Sequence, residues 1–167
     1  MMKRFFVILI TIIFVSCNNE VNIYYDGNND KEQIERIKTK AVETVKIGSN
    51  TFVLDAYLWR DFMPVSPENG KPMISINWLV DKNSVKIPGN ITMVKQYVIY
   101  NDEIWEANYE DEAPAPSLPE YKLERISRNG PKWGPKIYFD VISQIHDSKN
   151  KKDYYIILKN VFIIRTD

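Results

Sequence analysis

In the segment TFVLDAYLWRD (51–61), Phe52, Leu54, Ala56 and Leu58 alternate with Val53, Asp55, Tyr57 and Trp59. Successive side chains of an extended chain point to opposite faces, so a period of two sends one set toward a core and the other away from it. PMISINWLV (72–80) repeats the pattern, with Ile74, Ile76, Trp78 and Val80 on a common face. KIYFDVISQIHD (136–147) does the same with Ile137, Phe139, Val141 and Ile145. A chain made of such segments is confined to β architectures.

AVETVKI (41–47) and the 51–61 segment flank a Gly48-Ser49-Asn50 turn and read as a hairpin. Further strands are expected at 91–100, 102–109, 135–146 and 153–165, about seven in all. Ile34, Ile37 and Ala41 fall at three- and four-residue spacing, which predicts one short helix over 31–41. No repeated helix separates the strands, so the expected fold is all-β: an antiparallel two-sheet β-sandwich, immunoglobulin-like in outline. A small closed barrel is the second solution. The domain expected to carry it is 31–167, long enough for one hydrophobic core.

The N-terminus carries a different signal. Lys3 and Arg4 precede an apolar run from Phe5 to Val15. A run of about eleven residues covers little more than half of a ~30 Å hydrocarbon core, which suits a cleaved leader better than a spanning helix. Phe14-Val15-Ser16-Cys17, followed by the polar Asn18-Asn19-Glu20, resembles the lipobox of bacterial lipoproteins. The resemblance implies that residues 1–16 are a signal peptide and that Cys17 becomes the acylated N-terminus, carrying palmitate-type chains in a bilayer. By the same resemblance, Asn18 directs the protein to the outer membrane of the cell envelope. Residues 17–30, Asn-rich and without periodicity, read as a tether with an extended limit near 45 Å.

Loss of 1–16 would remove two basic groups and no acidic one, leaving 20 Lys+Arg against 22 Asp+Glu. Nothing in that balance gathers phosphates, so nucleic acid is not an expected partner. One histidine (His146) and one cysteine make up no usual zinc or copper set, and glycine-rich phosphate loops are missing; no metal or other cofactor is expected. Asp102, Glu103, Glu106, Glu110, Asp111 and Glu112 surround Trp105 and Tyr109, the one constellation that could serve a carboxylate-dependent glycan hydrolase. Such charge runs are more often solvated surface, and a non-catalytic role, in binding or envelope structure, is the favoured expectation.

Three connections carry prolines: RDFMPVSPENGKP (60–72), YEDEAPAPSLPEY (109–121) and RNGPKWGPK (128–136). Proline fixes φ and removes a donor, so these segments stiffen and leave the ladder. The first and third resemble parts of small bacterial lipoproteins whose activity is unassigned. Arg60, Asp61, Arg128, Lys132 and Trp133 form the candidate binding surface, for an envelope protein or a glycan, since Arg and Trp are enriched in binding hot spots. The competing assignment makes an Arg–carboxylate pair the clamp that pins a loop, with Trp133 covering one end of the core.

Overall fold

A computed structural model of the chain describes residues 27–110 and 117–167. The expected leader, Cys17 and most of the expected tether lie outside the described residues, as do Asp111 and Glu112. Helix α1 (Gly27–Lys40) begins four residues before the expected start, so the end of the tether segment is helical. Asp30 in its first turn and Lys38 and Lys40 in its last complement the helix dipole. Nine strands follow: β1 (Ala41–Val42), β2 (Val45–Ile47), β3 (Asn50–Asp61), β4 (Met73–Asp81), β5 (Ile91–Tyr100), β6 (Glu103–Asn108), β7 (Lys122–Gly130), β8 (Tyr138–Asp147) and β9 (Lys152–Thr166).

The fold is all-β, but it is neither an antiparallel two-sheet sandwich nor immunoglobulin-like. The strands form one mixed sheet in the order β6-β5-β8-β9-β3-β4-β7, with β1 on β9 and β2 on β3. Two antiparallel stacks are joined edge to edge because β3 and β9 run parallel, from Leu58 opposite Ile163 to Asp61 opposite Thr166. Register shifts at Met73/Ser75, Met93/Lys95 and Phe139/Val141 mark bulges, which bend strands and strengthen twist. The sheet curls into a half-barrel whose end strands approach at one backbone bridge, Glu110 to Ile126. Gly130 of β7 lies directly under the Trp105 indole, where an added Cβ would sit 2.6 Å from the ring.

Strand β7 has no counterpart in the alternation of the sequence. KLERISRNG is mostly polar, and its burial does not alternate because it lies at the rim of the curl. Strand β4 has the expected period and an unexpected orientation. Met73, Ser75, Asn77, Leu79 and Asp81 are buried inside, whereas the apolar set Ile74, Ile76, Trp78 and Val80 is half-buried on the outer face.

Two apolar clusters result. Phe52, Leu54, Leu58, Val98, Phe139, Val141, Ile145 and Ile163 fill the concave side. Outside, Ile34 and Ile37 of α1 pack on Tyr97, Ile99, Ile104, Ile142 and Ile157, so the helix covers the convex face of β5, β6, β8 and β9. A polar belt crosses the interior: Asn77 Nδ2 donates to Gln96 Oε1 (2.7 Å) and Ser75 Oγ (2.9 Å), and the Tyr109 hydroxyl meets Ser143 Oγ at 2.5 Å. Asn77 Oδ1 and Gln96 Nε2 lack protein partners there. Burial pushes the Tyr109 hydroxyl well above its ordinary range, so it stays neutral and available to donate.

Phe139, 1 % exposed, sits at the centre of the concave cluster. Phe139→Ala is expected to cost about 3–5 kcal/mol in denaturant unfolding through lost transfer energy and a residual cavity.

Candidate functional site

The C-terminal ends of β3, β9 and β7 and the starts of β4 and β8 meet at one end of the half-barrel, joined by the 62–72 and 131–137 connections. Arg60 stands at their junction. It is 2 % exposed and lies inside this end, so it is not part of a surface. Its Nε donates to the Lys71 carbonyl (3.0 Å) and its Nη2 to that of Asn69. Nη1 donates to the carbonyls of Lys132 (2.8 Å), Gly134 (2.9 Å) and, more weakly, Trp133 (3.4 Å). The guanidinium thus ties both connections through main-chain oxygens, without a carboxylate.

Phe62 closes the junction from outside. Arg60 and Arg165 approach its ring with Cζ 4.8 and 4.2 Å from the centroid, distances suited to cation–π attraction. Gly70 has φ +70°, and a Cβ there would lie 2.7 Å from the Phe62 ring, so the turn requires glycine for conformation and for space. Burial draws the Arg60 guanidinium below its ordinary pKa, yet an arginine remains charged at neutral pH.

The other sequence candidates fall in different settings. Asp61 pairs with Lys71 at 2.7 Å and accepts from the Met63 amide at 2.9 Å; those contacts, the Lys71 hydrogen bond foremost, hold its carboxyl below the usual range. Lys132 is exposed, and its Nζ donates to Asn69 Oδ1 at 2.8 Å. Trp133 is half-buried against the core, stacked on Phe139 (centroids 6.0 Å apart, planes at 21°) and beside Tyr100. Arg128 lies on β7, ion-paired with Glu110 at 3.4 Å beside the β6/β7 bridge. Four of the five candidates therefore gather at the Arg60 junction, while Arg128 belongs to the seam.

Large apolar side chains are exposed at this end, alongside the exposed Glu68, Lys71, Lys132 and Lys136. Met63, Val65, Tyr138, Phe162 and Ile164 are five of the eight large apolar side chains exposed among the described residues, Val65 at 89 % and Tyr138 at 60 %. Tyr138 and Phe162 pair across β8 and β9 with ring centroids 5.1 Å apart. Ile164 lies in register with Trp59, which contacts Tyr57 on the same convex face. The alternation did not single these residues out, although VFII (161–164) holds a trace of them: an apolar pair for each face, only one of which can meet the core.

Three of the six carboxylates considered for hydrolysis are ion-paired, Glu103 is exposed on β6, and Asp111 and Glu112 lie outside the described residues. Asp102 pairs with Lys31 at 2.9 Å, Glu106 with Lys95, and Glu110 with Arg128. His146 Nδ1 contacts Asp153 Oδ1 at 2.7 Å on the convex face. No group of three or more metal-ligating His, Cys, Asp or Glu occurs among the described residues.

At the opposite end, Asp81 and Asp147 organise the turns. Burial by itself would raise both carboxyls. Asp81 accepts from the amides of Val85, Asn83 and Thr51 and from Asn50; Asp147 accepts from Asn90 and from the Asn150 and Lys149 amides. Those bonds outweigh the burial and lower both pKa values. No family model, no curated protein and no solved structure matches the chain.

Two tests follow from these contacts. Arg60→Ala strands several buried carbonyls at once and is expected to cost about 3 kcal/mol or more. Trp133→Ala should cost about as much through lost packing, whereas Lys132→Ala stays within ~0.5 kcal/mol, all by denaturant unfolding. The second test concerns acid. A carboxyl with a depressed folded pKa stabilises fully above its unfolded value of about 4, and the contribution is lost as pH falls through the folded value. Asp147→Asn should therefore unfold more readily than wild type at pH 7, and the gap should close below about pH 4 in pH-resolved melts.

Proposed function

We propose that this chain is a lipid-anchored, non-catalytic binding or structural domain of the bacterial cell envelope, held through acylated Cys17 and delivered to the outer membrane. The observation that carries the binding role is the exposed apolar cluster at the Arg60 end. Apolar side chains presented together around stiffly held connections are what a recognition surface needs, because little ordering is left to be done on contact. The anchor rests on the sequence from Phe5 to Glu20.

The order of assembly is a leader, a lipidated cysteine, a short polar segment and one all-β domain. One acyl chain gives only marginal, reversible membrane binding, while two or more give a lasting hold. Metabolic labelling with a palmitate analogue tests the anchor: wild type is expected to incorporate label, and Cys17→Ser to incorporate none. Equal labelling of the two would overturn the lipid-anchored reading.

A further inference from the structure

We propose that the apolar end of the half-barrel rests on the lipid surface, as a second, non-covalent contact beside the anchor. This inference depends on acylation of Cys17. Its occupant follows from where the chain enters the domain. Lys31, near the start of α1, pairs with Asp102 in the turn between β5 and β6. That turn lies at the same end as the β8 start, because Ile99, just before it, is in register with Asp140, just after Tyr138. The chain therefore enters the described domain at the end that exposes Met63, Val65, Tyr138, Phe162 and Ile164.

The connection is short. From Cys17 to Gly27 is ten residues, at most about 35 Å when fully extended. A bilayer that holds Cys17 is thus within reach of the exposed cluster without any reorganisation of the domain. The composition fits a shallow contact: tyrosine and tryptophan (Tyr138, and Trp59 beside Ile164) favour the boundary between headgroups and acyl chains, where one edge of the ring is dry and the other wet. Val65, 89 % exposed in a proline-stiffened connection, is the most exposed of these side chains. Lys71 and Arg165 pair with Asp61 and Asp167, and Lys132 donates to Asn69, which leaves the apolar side chains to drive the contact.

The test uses the full chain, expressed with its leader in a bacterial host and reconstituted in phosphatidylethanolamine/phosphatidylglycerol vesicles containing brominated lipid. Val65→Cys receives an environment-sensitive fluorophore, with Lys149→Cys at the opposite end as the reference. Mass spectrometry of the N-terminal peptide reports acylation independently. With Cys17 acylated, the label at 65 should shift to the blue and be quenched about threefold more than the label at 149, as expected for a group a few ångströms below the headgroups. Phe162→Asp should reduce that quenching without altering acylation. Acylation with equal quenching at both positions would overturn the lipid contact and leave the anchor standing. Shielding of position 65 in native envelope membranes alone would also overturn it, in favour of a protein partner. An unacylated Cys17 would remove the anchor and this inference together.

Discussion

The parallel pairing of β3 with β9 is the constraint on which the architecture depends. It joins strands separated by about a hundred residues and converts two antiparallel stacks into one curled sheet. Without it, the inward faces of β3 and β4 would have no counterpart in β5 and β8, and the concave cluster around Phe139 would open. Pairings of such long sequence separation form late, because the loop-closure entropy must be met before the contact stabilises anything. Strand β9 is also central, flanked by β8 and β3, so a nascent chain lacking its last fifteen residues has two unpaired edges and no core.

That constraint explains how much of the fold was legible beforehand. Period-two alternation in 51–61 and 136–147 is a local signal, and it reported β structure and the buried faces of Phe52, Leu58 and Phe139 correctly. The helix at Ile34 and Ile37 was legible for the same reason. Which edges meet is decided by contacts between distant segments, and nothing in the alternation records whether β3 and β9 run parallel. The orientation of β4 was obscured for a chemical reason. Its inward face carries Ser75 and Asn77, which a hydrophobic pattern assigns to solvent, yet they are buried by the belt they share with Gln96 and Ser143.

The candidate site was legible in outline through the chemistry of arginine and proline. Prolines marked the connections around Arg60 and Trp133 as stiff, but the pattern could not tell a displayed guanidinium from a buried one. The distinction lies in the partners, which are carbonyls of residues 69, 71, 132, 133 and 134. The stacking of Trp133 on Phe139 likewise depends on how the 131–137 connection folds back, and no spacing encodes that. Tyr138, Phe162 and Ile164 stay exposed because α1 covers a different part of the convex face, which no local pattern encodes.

The β6/β7 seam has its own consequence for motion. One backbone bridge, the Ser127 Oγ hydrogen bond to the Asn108 carbonyl, the Trp105–Gly130 contact and the Arg128–Glu110 pair span it, whereas β8 is paired along nearly its whole length on both sides. Opening energies within a fold scale with the pairing and burial that must be undone. The seam is therefore the sparsely paired line of the described domain, and its amides are expected to exchange with solvent faster than those of β8.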